Sequence, residues 1–158
     1  FLSTKNAQVT EVHKFDSFDG TLSDGGKLNV AVDLSSVNTA IDIRNKRMQE
    51  MLFNVTKFAQ ATFEANLPES MMNLKSGQVV NGKVDGILML HGKAVPTSFA
   101  VKASKVNDDT LTVSTTSPTL IKAESFGLAE GVAALQKIAG LKSITTTVPV
   151  TFSVTFTQ

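Results

Sequence analysis

Apolar and polar residues alternate along much of the chain with a period of two. The pattern is clearest at residues 144–156, where Ile, Val, Phe and one Thr share one face and mostly Thr and Ser share the other. Successive side chains of a β-strand point to opposite faces, so this segment is predicted to be one long strand with a buried face. Three further strands are predicted at residues 28–34, 61–67 and 111–115.

Two longer apolar runs lie between Val79 and Val106, joined by the segment His91-Gly92-Lys93-Ala94. Gly92 offers the positive φ that a tight hairpin turn commonly needs, so the two runs are predicted to be antiparallel neighbours. Ile87 and Met89 make the second face of the first run apolar as well. A strand with two apolar faces is expected to be covered on both sides.

Two segments follow helical spacing instead. One runs from Thr39 to Phe53 and opens with a weak capping-box pattern, Thr39 followed by Asp42 three residues on. The other runs from Leu128 to Ile138, with Gly140 placed to end it. Both are expected to lie over the strands as a cover.

No repeat, low-complexity tract or linker divides the sequence, so residues 1–158 are expected to form a single domain. Long apolar strands expose unpaired edges unless their sheet closes on itself. The sequence therefore predicts a mainly β protein: one antiparallel β-barrel of about eight strands, with one or two helices covering the barrel.

The amino-acid composition excludes several classes of function. Fifteen basic residues against fourteen acidic ones give no large field of one sign, which argues against nucleic acid as a partner. The chain has no Cys, which removes disulfides and thiolate chemistry. No apolar run approaches the roughly 20 residues of a membrane-spanning helix, and the opening Phe1-Leu2-Ser3 does not read as a signal peptide. We expect a mature or trimmed form.

Candidate chemistry is sparse. The two histidines, His13 and His91, have no metal-ligand spacing, and no nucleophile elbow, Walker loop or dinucleotide fingerprint occurs. We expect no metal, no cofactor and no catalytic residue. Acid–base pairs that meet across strands stay open at this point, because a sequence does not show which residues meet in space.

Several segments resemble the YceI-like family, in order along almost the whole chain. They are Phe15 with Phe18-Asp19-Gly20, Ser36-Val37-Asn38-Thr39 with Arg44, the run Phe53, Phe58 and Phe63, the stretch Gly86, Leu88, Leu90, His91, Gly92 and Pro96, and Ser125-Phe126-Gly127. Lys5, His13, Phe58-Ala59 and Ser125 depart from the family pattern, which indicates a divergent branch.

The resemblance implies a lipocalin-like barrel that binds a polyisoprenoid, quinone-like or fatty-acyl lipid in its interior, for carriage or sequestration, in a periplasm or outside the cell. Burying about twenty methylenes gains roughly 16 kcal/mol before binding costs, so such a site needs no chemical motif. The residues expected to line the cavity are Phe15, Phe18, Val37, Ile41, Met48, Met51, Leu52, Phe53, Phe63, Met89, Phe99, Ile121, Phe126 and Leu128. Arg44 and Arg47 are the candidates for binding a lipid head group.

Competing interpretations stay open. Each Phe or Met could be ordinary core packing, and the arginines could be merely solvated. A lipocalin-fold isomerase or cyclase would place His13 or His91 in the cavity beside a carboxylate. A stress-response or assembly protein would act through its surface, as a monomer or homodimer, and transient membrane contact is compatible with a lipid carrier.

Overall fold

The fold is described from a computed structural model, over residues 1–6 and 9–157. The strands are β1 (Leu2–Lys5), β2 (Val9–Val12), β3 (Lys14–Phe15), β4 (Phe18–Leu22), β5 (Lys27–Asp33), β6 (Val37–Asn38), β7 (Gln60–Asn66), β8 (Val79–Leu90), β9 (Lys93–Asn107), β10 (Thr110–Thr115), β11 (Thr119–Lys122), β12 (Thr147–Val150) and β13 (Ser153–Thr157). The α-helices are α1 (Asp42–Arg47), α2 (Glu69–Met72) and α3 (Ala129–Ile138).

Seven antiparallel strands curve into one nearly closed barrel, in the order β13-β10-β9-β8-β7-β5-β4. All neighbours in this sheet are also consecutive strands of it, as the alternating pattern predicts for an up-and-down barrel. The β8–β9 hairpin turns on two residues, His91 and Gly92, both with positive φ (54° and 75°). This end of the barrel is called the upper end below, and the end with the β4–β5 and β9–β10 hairpins the lower end.

The seven strands agree with the expected number of about eight, but the strand predicted at residues 144–156 divides into two. Its first part is β12, which pairs with β11, and its second part is β13, which pairs with β10. The change of partner requires a corner at Thr151 and Phe152. The three ribbons β1–β2, β3–β6 and β11–β12 lie outside the seven-stranded sheet.

The first and last strands of the sheet meet without a backbone ladder among the described residues: β4 pairs only with β5, and β13 only with β10. The seam is packed instead. A Cβ on Gly20 of β4 would lie 2.9 Å from Val154 Cγ1 and 3.1 Å from Phe156 Cε1 of β13. Glycine is therefore required for the two edges to approach this closely.

The lower half of the barrel is filled by its own side chains. Val84, Val101, Ala103 and Val113 are completely buried there. Helix α2 closes this end, since Met71 lies against Gly82, where a Cβ would be 2.7 Å from the Met71 Cε. The expected hollow does not run the length of the barrel, because strands with alternating apolar residues fill an interior this narrow.

Two helical segments cover the upper end. The first is α1, which continues as a π-helix at Met48–Phe53 and ends at Asn54, where the Asn54 N–H donates to Gln49 O. Thr39 does not cap α1 as predicted: the N-cap is Ile41, and the Thr39 hydroxyl donates to Asn45 Oδ1 at 2.6 Å. The second is α3, which ends before Gly140 (φ 66°), as predicted.

The outer face of β8 differs from the prediction that both faces are covered. Ile87 and Met89 are 43% and 48% exposed. Their partners on β7, Glu64 and Thr62, also face outward. Among the described residues no helix is long and apolar enough to cross a membrane.

Candidate functional site

The upper half of the barrel holds an apolar cluster beneath the π-helix, called the upper cluster. Its buried members are Leu34, Val37, Met48, Phe53 and Ala61, and the partly buried residues packed against it are Phe1, Phe15, Val32, Leu52, Val55, Leu90 and Leu135. Strand alternation aims Ala61 inward, while the helical repeat turns Met48 down onto the strands. More than half of its contributors are only partly buried, so this region is less tightly enclosed than the lower half.

A second apolar group, the side cluster, lies where β10 leaves β9. Its buried members are Ala123, Phe126 and Leu128, and Leu52, Leu88, Leu90, Val95, Ile121 and Val132 pack against them. β10 pairs with β9 only from Val101 onward. The short helical turn at Ala123–Phe126 fills the resulting gap in the barrel wall. Leu52 and Leu90 belong to both clusters, so the two form one continuous apolar region.

Three phenylalanine rings lie across the barrel between its upper and lower halves. The rings of Phe63 and Phe99 meet edge to face with centroids 5.0 Å apart, and so do those of Phe99 and Phe152. Gly86 makes room for the first ring, because a Cβ there would lie 2.8 Å from Phe63 Cζ. This edge-to-face geometry is the favourable one for aromatic pairs.

Two surface clefts flank the side cluster. The first, of about 390 Å³, lies between the π-helix and α3; its lining includes Met51, Leu52 and His91, with Glu50 and Glu130 on its rim. The second, of about 240 Å³, lies between β9 and β11 and is lined in part by Ile121 and Phe126. Leu52 and Phe126 thus separate open clefts from the apolar region inside the barrel.

A charged group ties the ribbon β1–β2 to α1. Glu11 Oε2 lies 2.7 Å from Arg44 Nη1, and Glu11 Oε1 lies 2.9 Å from Lys5 Nζ. His13, buried to all but 5%, has its Nε2 3.2 Å from Glu11 Oε2. Arg44 Nη2 also donates to the Thr39 carbonyl at 2.5 Å. Arg44 is therefore committed to partners within the protein.

These contacts shift two pKa values. The hydrogen bond from Lys5, followed by that from His13, lowers the pKa of Glu11 to about 2. Burial lowers the pKa of His13, although Glu11 opposes that shift. The pKa of Glu11 is thus held away from the neutral range in which a proton-transferring group works best. Among the described residues, no three His, Asp or Glu side chains are placed to hold a metal ion.

The structure brings together most of the residues predicted to line a cavity. Those in or against the upper cluster, the side cluster or the three rings are Phe15, Val37, Met48, Leu52, Phe53, Phe63, Phe99, Ile121, Phe126 and Leu128. Met51 lines the first cleft. Arg47 is half-buried at the end of α1.

Three predicted cavity residues lie elsewhere. Met89 faces outward, because it lies an odd number of residues from the buried Val84 on β8 and therefore points to the opposite face of the strand. Ile41 precedes α1 and is exposed, and Phe18 is exposed at the upper rim of β4. These residues are apolar, but hydrophobicity alone does not specify which face of an element they occupy.

Sequence reasoning missed several residues of the interior. Phe152 is predicted on the apolar face of a strand but not in the site, although its place in the alternating pattern was a usable signal. The contact between Glu11 and Arg44 had no such signal, because it joins residues far apart in sequence.

A nearly closed antiparallel barrel with an apolar interior and a helical cover defines a lipocalin-like protein. The chain belongs to the YceI-like domain family, whose model matches residues 2–156. No curated protein sequence matches it.

Solved structures agree with this assignment. A polyisoprenoid binding domain from Saccharophagus degradans, implicated in plant cell wall breakdown, is 33% identical, with a TM-score of 0.94 over 99% of this chain and 90% of that chain. BcnA from Burkholderia cenocepacia shares the fold at 19% identity and TM-score 0.71, over 99% of this chain and 94% of its own. The Campylobacter jejuni YceI protein also shares the fold, at 16% identity and a TM-score of 0.68, over 98% of this chain and 90% of its own.

Proposed function

We propose that the chain binds a long apolar or amphiphilic lipid, of polyisoprenoid, quinone-like or fatty-acyl type, for carriage or sequestration. The observation that carries the proposal is the likeness to the Saccharophagus degradans polyisoprenoid binding domain, which is 33% identical over 99% of this chain. The apolar region formed by the upper and side clusters supports it. Each methylene placed there would gain about 0.8 kcal/mol relative to water.

Binding requires the upper half of the barrel to open, because side chains occupy it. Two features favour such an opening. Met48 and Met51 carry unbranched thioether side chains, which repack readily around different shapes. The cover consists of short helices, and cleft-lining residues such as Leu52 already separate solvent from the interior. We propose that the lipid tail enters here and displaces the partly buried side chains.

The experiment compares two half-buried methionines at opposite ends of the barrel. Met51 lines the first cleft, whereas Met72 packs at the lower end near Gly26. Native mass spectrometry and organic extraction of protein purified without detergent measure the bound lipid. We expect Met51→Lys to lower lipid occupancy several-fold, while Met72→Lys, the matched control, leaves occupancy unchanged once equal amounts of folded protein are compared.

Two outcomes would contradict the proposal or the role given to Met51. Wild-type protein that carries no lipid, and that also takes up no added solanesol, ubiquinone or fatty acid, would contradict it. Equal loss of occupancy in the two methionine variants would show that Met51 contributes only to stability.

We propose a binding role and not a catalytic one. His13 does lie beside a carboxylate, as an isomerase or cyclase would require, but its ring packs against Phe1 (centroids 5.3 Å apart) and Glu11 is held by Lys5 and Arg44. His91 lines the first cleft, with Nδ1 3.2 Å from the Phe126 carbonyl oxygen. By family resemblance we place the protein in a periplasm or outside the cell. It would act there as a monomer or homodimer that contacts membranes transiently.

A further inference from the structure

We infer that Phe63, Phe99 and Phe152 form the floor of the lipid site and set the longest chain that the protein can hold. This inference rests on the proposed lipid binding and adds to it a rule for the choice of ligand. It starts from the position of the three rings, which divide the interior into two halves of different packing.

The rings lie across the barrel and not along one wall. Phe63 projects from β7, Phe99 from β9, and Phe152 from the corner before β13, so the three rings reach around an arc of five strands. Consecutive centroids are 5.0 Å apart, with interplanar angles of 87° and 80°. Edge-to-face contacts in sequence leave no gap between the rings for an alkyl chain to pass.

Below the rings the side chains of the interior are tightly packed. Val101, Ala103 and Val113 lie closer to the lower end than the rings and have no exposed surface, and Met71 of α2 closes that end against Gly82. A chain that passed the rings would have to displace side chains that are fully packed on every side. Overpacking of a dense core is unfavourable, so the chain is expected to stop at the rings.

Above the rings the side chains are less enclosed. Leu52, Val55 and Leu90 of the upper cluster are all half-buried, and the two clefts open on this side. The two halves thus differ in how easily a ligand can displace their side chains. This difference makes the rings a floor, and it predicts that their size determines the length of the bound chain.

The test measures binding of prenyl alcohols of increasing length, namely geraniol, farnesol, geranylgeraniol and solanesol, to delipidated full chain. Native mass spectrometry and displacement of a fluorescent fatty acid give the occupancy. Wild type is expected to show an optimum length. Phe152→Ala should shift that optimum by about one isoprene unit toward the longer chain, because truncation opens a cavity beneath the ligand.

Phe156→Ala is the matched control. Phe156 is also half-buried and lies on β13, but it packs at the lower end against the seam at Gly20. Its truncation should leave the optimum unchanged. Phe99→Leu provides a second, milder variant, and Phe152→Leu replaces Phe152→Ala if the latter does not fold. Phe152→Trp should shift the optimum toward the shorter chain.

Two failures are distinguishable. If none of the alcohols or the fluorescent fatty acid binds wild type, the proposed function is wrong. If wild type binds them but its length optimum is unchanged in Phe152→Ala (or Phe152→Leu) and Phe99→Leu, the three rings do not set chain length, and the proposed lipid binding still stands. A shift in Phe156→Ala equal to that in Phe152→Ala would also overturn the inference.

Discussion

At the scale of single residues, Glu11 lies at the centre of a group of polar and charged side chains. Its carboxylate contacts Lys5 on β1, His13 just after β2, and Arg44 on helix α1. Because Arg44 also donates to the Thr39 carbonyl, Glu11 connects the ribbon to the beginning of the helical cover. A head group that needed Arg44 would have to compete with this carboxylate, which makes Arg44 a poor candidate for that role.

Replacing Glu11 by Gln removes the negative charge but keeps the size of the side chain. We expect the free energy of unfolding at pH 7 to fall by roughly 1–3 kcal/mol, because the donors of Lys5 and Arg44 lose their charged partner. Urea denaturation measures the change. Lys14→Gln is the control, since Lys14 makes only an exposed ion pair with Asp16 and should have little effect.

The same variant predicts a pH dependence. The pKa of Glu11 is about 2 in the folded protein and ordinarily 4.5, so its stabilising contribution is complete above pH 4.5 and is lost as the pH falls toward 2. Wild type and Glu11→Gln should therefore converge in melting temperature over that range. A constant difference between pH 5 and pH 2 would contradict the role given to Glu11.

At the scale of elements, Gly131 determines how α3 packs on the π-helix. A Cβ at this position would lie 2.8 Å from the Met51 carbonyl oxygen and 3.0 Å from the Leu52 Cα. Both are backbone atoms, so no side-chain rotation can relieve the contact. A glycine inside a helix is unfavourable for the helix itself, but Gly131 allows two helices to touch over the apolar interior.

Gly131→Ala has two opposing effects. Alanine favours a helix interior over glycine by about 1 kcal/mol, whereas the added methyl overlaps the backbone of the π-helix. We expect the overlap to dominate and the melting temperature to fall. Ala133→Gly, on an exposed position of the same helix, is the control and reports the helix propensity alone. A melting temperature for Gly131→Ala above that of wild type would show that the two helices separate without cost.

At the scale of the whole molecule, every pair of neighbouring strands in the seven-stranded sheet shares a backbone ladder, whereas the described residues of β4 and β13 share none at the seam. Strand β8 pairs with β9 over its full length at the centre of the sheet. In contrast, β4 and β13 meet only through side chains. Side-chain contact alone closes the interior there without satisfying the backbone groups of the two edges. We therefore regard the seam as the weakest part of the barrel wall.

Amide hydrogen exchange followed by mass spectrometry tests this view. We expect β4 and β13 to exchange faster than β8 and β9, because their outer amides lack ladder partners. Gly20→Ala should increase exchange in both edge strands and destabilise the fold by about 1–2 kcal/mol, since the methyl overlaps Val154 and Phe156. Gly25→Ala, in the exposed β4–β5 turn, should change neither. If the amides of β4 were protected from exchange as well as those of β8, the seam would not be the weakest part of the barrel wall.

The alternation of apolar residues by itself determined most of the fold. It specified the strands at residues 28–34, 61–67, 111–115 and within 79–106, and it favoured a closed barrel. Period-two alternation does this because each strand buries one face locally, without reference to its partner. The segments around Phe15, Ser36 and Gly86 resemble the YceI-like family and so predicted the family to which the chain belongs. The match of the family model over residues 2–156 confirms this prediction.

Only the tertiary structure decided which strands meet and what lies between them. Four features depend on segments that are distant in sequence. They are the division of residues 144–156 into β12 and β13, the packing at Gly20 and Gly131, the ion pair of Glu11 with Arg44, and the contacts among the rings of Phe63, Phe99 and Phe152. A repeating pattern encodes the direction of each side chain, but its partner depends on register and closure, which the chain fixes only when it folds as a whole.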